Sequence, residues 1–431
     1  MSSALTSVRP KTLMSTVVTI VIGFVVVRTL LLGFVTGVVP YPDGPSVIND
    51  VLLYSEWSQL LVTGRFPIGD DMWQYPPGAG VVFALAALIG ANAVQGFFVL
   101  SLIADAAVLA ALIVVSVRRS GTNPPRLVAA WAWVVAPIII GPVFIARFDV
   151  IPTAAAVAAL LLLSRPVYSG AMAAVGTLLK VWPGFMMLAI PRRSLICGST
   201  GFVVTAVGIL MLVSVWAVGG IAFIGEQQSR GLQVESVGAW PFMVAQGLGA
   251  QIPLEFRFGA MEIDLPITIT IGSVITVIGI GLIALLGVAR LLGSLERIDG
   301  VEIAMAALLI SIVASRVLSP QYMVWVAGVA AVALINPSTR LRPVVALLVV
   351  STVAGQVIYP LGYGSLLNGD WWAVGLQTLR VLSLVAATGW CGWLVLGRLT
   401  RPHWRPPPPR RQDAEPDSDE FQKARSAIEA G

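Results

Sequence analysis

Long apolar runs recur from residue 13 to residue 397, separated by short polar turns. None shows the strict two-residue alternation of a membrane barrel strand, so the runs predict helices. Runs at about 13–36, 94–117, 127–145, 150–163, 199–223, 267–289, 301–317, 321–335, 343–360 and 372–397 predict about ten full spans. The run at 78–90 gives only ~20 Å of helix against a ~30 Å hydrocarbon core, and predicts an interfacial or re-entrant helix. The stretch GAMAAVGTLLKVWPGFMMLAI, 170–190, lies between basic clusters at Arg165 and at Arg192–Arg193. It must go in and come back, yet each arm is only ~15 Å long. It predicts a broken hairpin with Lys180–Pro183 at its tip, in a place where irregular backbone needs protein or a wet cavity around it. The first run has no small-residue cleavage site and predicts a retained anchor.

Composition agrees. Of 431 residues, 57% are hydrophobic and 11% charged, with a mean hydropathy of +0.88. Soluble domains carry about a quarter charged residues, so this is an all-α polytopic membrane protein. Residues 1–397 form the transmembrane domain, and the Pro/Arg-rich then acidic segment 398–431 predicts a disordered tail. The positive-inside rule places Arg9, Lys11, Arg118, Arg119, Arg126, Arg192, Arg193, Arg340 and Arg342 in the cytoplasm, with both termini. The polar segments 37–77 and 224–266 and the turns at 146–149 and 315–321 then share the outer side. Arg147, Lys180, Arg230 and Arg316 are exceptions to the basic bias and could converge on one outward-facing site. Two cysteines, Cys197 and Cys391, predict packing roles and no disulfide, and the single histidine, His403, lies in the tail. A zinc site and a histidine base within the membrane body are excluded.

Candidate chemistry concentrates on the outer side. In VINDVLLYSEW, 47–57, Asp50 and Tyr54 are four apart and share a helix face, while Glu56 points elsewhere. Asp50 can act as a general base near the membrane surface or can cap a short helix at 51–62. In GRFPIGDDMWQYPPG, 64–78, Asp70 and Asp71 could bind a metal or serve the turn. Lys180 in a short apolar hairpin suits a phosphate or snorkels to the interface. Arg147 and Arg316 can fork onto a phosphate, and Arg147 can equally pair with Asp149. The loop GEQQSRGLQVESVGAW, 225–240, offers Gln228, Arg230 and Glu235, with amides and a Trp of the kind that line sugar sites. Arg28, Asp105 and Arg380 lie within spans and predict buried structural pairs.

Taken together, ND with a Tyr four residues on, Gly64-x-x-Pro67, YPPG opening a short helix, LKVWP in a broken hairpin and SRVLSPQYMVW at a late outer turn resemble glycosyltransferase family 87. These are polyprenyl-phosphate-mannose-dependent mannosyltransferases of actinobacteria with the GT-C membrane fold. The resemblance covers about 13–397. It implies that Asp50 is the catalytic base of an inverting transfer from a polyprenyl-phosphate-mannose donor to a hydroxyl of a cell-envelope glycolipid or lipoglycan, at the outer face of the plasma membrane. It implies donor-phosphate contacts from Lys180, Arg316 and Arg147. Tyr54, Trp57, Tyr75, Gln228, Arg230, Glu235, Gln321 and Tyr322 become candidate substrate contacts. No metal or cofactor is expected, and the expected partners are donor, acceptor and membrane lipids, with no nucleic acid. Some relatives use a histidine near the active site, and this chain has none there. Another polyprenyl-phosphate sugar (arabinose, glucose or an amino sugar) and a lipid or solute transporter are the alternatives. Against transport, only one broken hairpin is visible, with no second copy in the other half.

Overall fold

In the computed structural model the described residues are 10–67, 69–70, 72–121, 126–214 and 230–399. Helix α1 (Pro10–Val35) leads through a turn to α2 (Gly44–Val62), which carries the VINDVLLYSEW stretch. Then come α3 (Gly78–Ile89), α4 (Ala93–Ser120), α5 (Val128–Ile140), α6 (Val150–Leu161), α7 (Pro166–Leu179) and α8 (Leu195–Ser214). A three-stranded antiparallel sheet follows, β1 (Leu232–Gln233), β2 (Leu254–Arg257) and β3 (Ala260–Ile263) in the order β1-β3-β2, with α9 (Trp240–Gly247) between its first two strands. The chain closes with α10 (Pro266–Leu291), α11 (Gly300–Val313), α12 (Tyr322–Leu334), α13 (Arg342–Gln356), α14 (Tyr363–Leu367) and α15 (Trp371–Leu399).

The architecture is all-α and polytopic, as the apolar runs predict. Among the described residues, six helical segments are long and apolar enough to cross a bilayer: Leu13–Val35, Ala93–Ser120, Arg192–Ser214, Pro266–Leu291, Arg342–Leu367 and Trp371–Gly397. Six more apolar helices are short, among them α5, α6, α11 and α12, which were expected to span fully and have only 12–14 residues. The short helices form the interior. In α11 and α12 most residues are buried and the rest half-buried, whereas the long α8 and α10 turn most of their surface outward. A helix of about 20 Å falls roughly 10 Å short of a hydrocarbon core. Irregular backbone continues past the helix ends: 141–149 is buried throughout, 314–321 is buried or half-buried, and at the 180–181 break Val181 is exposed.

The expected broken hairpin is present. Helix α7 stops at Lys180, and a 3-10 helix, Trp182–Ala189, returns toward Arg192. Glycines let α7 lie backbone to backbone on α8. A Cβ on Gly170 would sit 1.9 Å from the Gly198 carbonyl oxygen, and one on Gly201 would sit 2.0 Å from that of Val167.

Two buried ion pairs lock the frame. Arg28 on α1 grips Asp105 on α4 with two hydrogen bonds of 2.7 and 2.8 Å, and Trp133 on α5 donates to the same carboxylate at 2.7 Å. Arg380 on α15 holds Glu235 at 2.5 Å. Both bear out the structural reading of these span charges. Cys197 and Cys391 are free thiols.

The hairpin β2–β3 was not anticipated. Its signal is LEFRFGAMEI, two alternating segments around Phe258-Gly259, whose φ values of 50° and 75° fit the two-residue turn that suits strand twist. Of the tail expected to be disordered, 398–431, the first two residues still belong to α15, and the rest lies outside the described residues.

Candidate active site

The site begins with the turn between α5 and α6. Pro137 within α5 and Gly141, at φ 78°, end that helix, and residues 142–149 wind irregularly before α6 starts at Val150. Arg147, Phe148 and Asp149 are all buried there. Side chains two apart on a turn of helical hand do not face the same way. Arg147 therefore points to α2 and Asp149 to the tip of the broken hairpin. Arg147 Nε donates to Asp50 Oδ2 at 2.8 Å, and its Nη1 donates to the Val47 carbonyl. Lys180 Nζ donates to Asp149 Oδ1 at 2.6 Å. The alternative pairing of Arg147 with Asp149 is not what forms.

Asp50 does not cap a helix at 51–62. Helix α2 begins at Gly44, so Asp50 lies a full turn and a half inside it. Its side chain is 35% exposed while Arg147 is nearly enclosed, so the guanidinium fixes one carboxylate oxygen and leaves the carboxylate open to solvent. Tyr54, one turn on, packs inward, stacked on Phe83 at 4.7 Å. Its hydroxyl meets that of Tyr75 at 2.8 Å. Trp57 is buried beside it and donates its indole N–H to Asp70 at 2.7 Å. Asp70 also accepts from the Met72 amide at 2.9 Å, which makes it a turn builder. Asp71 lies outside the described residues.

Lys180 stands in an aromatic cage. Its ammonium lies 5.0 Å from the ring centre of Trp325, 5.6 Å from Tyr75 and 5.8 Å from Tyr322. Tyr322 and Trp325, three apart on α12, stack at 4.0 Å, and Trp182 stacks on the other side of Trp325 at 5.2 Å. Trp325 donates its indole N–H to the same oxygen of Asp149 that holds Lys180. Asp149 is fully buried, and its second oxygen accepts no hydrogen bond from the described residues. The lysine side chain keeps 19% exposure, so its remaining N–H groups can be reached.

Tyr75 joins the two halves. It is bonded to Tyr54 on the Asp50 side and faces Lys180 with its ring. Burial first, then the nearby charges of Asp50 and Asp149, push its hydroxyl well above the ordinary tyrosine range, so it acts as a neutral donor or acceptor. The next residue back, Gln74, accepts from Arg230 at 2.8 Å.

That bond opens a second, adjoining cluster. Arg230 is buried, pairs with Glu262 at 3.1 Å and lies over Phe258. Arg316 donates to the Arg230 carbonyl and to Ser273 on α10 at 2.7 Å, pinning the turn 314–321 to the sheet. Gln321 is half-buried where α12 begins. Glu235 departs from the expected role. It is 2% exposed, paired with Arg380 and bonded by Gln233 at 2.8 Å, so no oxygen is left for a sugar. Gln228 lies outside the described residues.

The structure thus brings Asp50, Arg147, Lys180, Tyr54, Trp57, Tyr75 and Tyr322 together, with Arg230 and Arg316 at the edge. Three contributors stand outside the expected site residues: Asp149, read in sequence only as a possible partner of Arg147, and Trp182 and Trp325. The two tryptophans stand in the LKVWP and SPQYMVW stretches, and the three-residue step from Tyr322 to Trp325 was their available signal.

Residues 73–246 match the family model for glycosyltransferase family 87. The match includes Tyr75, Arg147, Asp149, Lys180 and Arg230, and stops short of Asp50 on one side and Arg316 and Tyr322 on the other. No curated protein and no solved structure matches the chain.

Proposed function

We propose that this chain is a membrane glycosyltransferase that moves a sugar, mannose by preference, from a polyprenyl-phosphate donor to a hydroxyl of a cell-envelope glycolipid or lipoglycan, with inversion. The observation that carries it is the convergence of Asp50 and Lys180 on one tripeptide, Arg147–Asp149, inside the segment similar to glycosyltransferase family 87.

Asp50 takes the proton of the acceptor hydroxyl as that oxygen attacks C1 of the sugar. The bond from C1 to the phosphate oxygen breaks, and its electron pair leaves with the polyprenyl phosphate. Arg147 keeps the carboxylate oriented, which a general base within hydrogen-bond reach of its proton requires. Lys180 presents N–H groups beyond the one given to Asp149, and Asp149 fixes where they point. A preorganised ammonium facing a leaving phosphate stabilises charge that grows in the transition state. The Tyr322–Trp325–Trp182 stack supplies a flat wall beside it. Arg147 and Arg316 are secondary phosphate contacts, and Tyr54, Trp57 and Tyr75 shape the enclosure from behind. Glu235 drops out of the set of substrate contacts. Arg119 and Arg126 border a cleft at the end of α6 far from Asp149, and under the positive-inside rule this supports the reading that Asp50 faces the extracytoplasmic side.

The test is transfer in membranes from radiolabelled polyprenyl-phosphate-mannose. Asp50→Asn should fold and lower transfer by about 10²–10⁴-fold, the usual contribution of a general base. Equal transfer by the variant removes Asp50 from that role, and no transfer by the wild type to any envelope lipid refutes mannose as the sugar. Lys180→Ala should raise the apparent KM for the donor.

A further inference from the structure

The end of the bundle away from Asp50 holds a cleft of about 840 Å³. Helix α6 begins just after Asp149 in the site, and its far end, with Leu160 and with Leu163 just beyond it, lines this cleft. The polar side of the cleft is Arg119, Ser116 and Ser120 from the last turns of α4, Arg126 ahead of α5, and Asn336 after α12. The apolar side is Val301 from α11 and Val332 and Ile335 from α12 and its end. Arg119 and Arg126 are exposed and form no ion pair among the described residues. The one carboxylate on the rim, Asp299, already accepts from the Val301 amide at 2.9 Å. Ser116 is 4% exposed, and its hydroxyl has no hydrogen-bond partner. A buried hydroxyl on the wall of a cavity is an unmet donor.

We propose that this cleft is a binding site for an anionic phospholipid, the phosphodiester lying between Arg119 and Arg126 and the first acyl segments against Leu160, Leu163 and Val332. Two cations and the unmet Ser116 hydroxyl suit a phosphate, while the Ser120 hydroxyl is already given to the Ser116 carbonyl at 2.7 Å. The apolar half of the wall gives nothing to a free inorganic anion and buries hydrocarbon of a lipid. Basic pockets between membrane helices take acidic headgroups for the same reason. The site shares no residue with the Asp50–Lys180 cluster, and the proposal stands or falls independently of the transfer reaction.

Thermal unfolding of the delipidated full-length protein in detergent tests it, with phosphatidylglycerol, phosphatidylcholine or inorganic phosphate added. Phosphatidylglycerol should raise the midpoint saturably, while phosphatidylcholine and inorganic phosphate leave it in place. Arg119→Gln/Arg126→Gln should need about 30-fold more phosphatidylglycerol, from ~1 kcal/mol per basic residue at a lipid surface. Ser116→Ala should weaken the response by a few-fold. Both arginines are exposed, so the double variant should fold as the wild type does. An equal response to phosphatidylcholine, saturation by inorganic phosphate, or a double variant that titrates like the wild type overturns the proposal.

Discussion

Asp149 is the residue on which the site's geometry depends most, and its pair with Lys180 can be measured. Asp149→Asn keeps the shape and removes the charge. Breaking a fully buried ion pair from one side costs about 3–5 kcal/mol, because the remaining charge is stranded. The stranded group here is Lys180, which keeps 19% exposure and three aromatic faces within 6 Å. Each face holds a cation by about 0.5–1 kcal/mol, so the expected loss is nearer 2–3 kcal/mol. The reverse change is harsher. Lys180→Met strands Asp149, which has no exposure and retains one indole N–H, so the loss approaches ~4 kcal/mol. The double variant should be more stable than the sum of the two single losses predicts, by about 2 kcal/mol.

The assay is the unfolding midpoint of purified protein in one detergent. An unfolding entropy of about 2.1 cal/mol/K per residue gives ~0.9 kcal/mol/K for the chain, so the midpoints should fall by about 3 °C for Asp149→Asn and 4–5 °C for Lys180→Met. Additive losses in the double variant, or a greater loss from Asp149→Asn than from Lys180→Met, would falsify the assignment of this pair as the anchor of the hairpin tip.

Other outcomes follow from the same structure. Glu235→Gln strands the 1%-exposed Arg380 and should lower stability by ~3–5 kcal/mol, while the protein that still folds keeps its donor KM; a raised KM at unchanged stability would restore Glu235 as a substrate contact. Gly170→Val drives a side chain into the Gly198 carbonyl and should cost more than ~3 kcal/mol by parting α7 from α8, seen as loss of folded protein on size exclusion. Glu296 accepts from the Arg192 amide first and then from Arg290, both at 2.9 Å, and these hold its carboxyl below the usual glutamate range. A depressed folded value means its stabilisation is present above the unfolded value and is lost as pH falls through the folded one. Glu296→Gln should therefore flatten the acid limb of the midpoint below the ordinary glutamate range, modestly because the side chain is 38% exposed; an unchanged limb counts against the pair.

The membrane class, the broken hairpin and the structural pairing of Arg28, Asp105 and Arg380 were legible because hydropathy and isolated span charges report on solvation, which is local. The face shared by Asp50 and Tyr54 was legible because it follows from helical spacing. What α2 packs against was not, and so Asp50 could equally be read as a cap. Partners were harder to read than positions. Arg147 and Asp149 look like a pair in sequence, but a two-residue step on a helical turn separates them, and each finds its partner about 100 and 31 residues away. The length of the inner helices was misread because the apolar runs continue into their turns. Ala314 and Val317, past the end of the helix, are still apolar and buried, so hydropathy does not mark where α11 ends.

On the proposed function, the charges of the cluster constrain how a lipid phosphate binds there. Asp50 balances Arg147, Asp149 balances Lys180 and Glu262 balances Arg230, so these three pairs carry no net charge, and Arg316 at the edge lies outside them. An enclosed stock of unpaired cations would be costly in so apolar a setting. A phosphate entering beside Lys180 therefore meets oriented N–H groups more than a net positive field. Long-range attraction then contributes little to donor capture, and hydrocarbon contact must contribute the rest. On the proposed function, transfer at low donor concentration should change little as ionic strength rises, since screening acts on net fields between exposed charges. A steep fall in kcat/KM with salt would mean that a surplus of exposed cations, outside this balanced cluster, captures the donor.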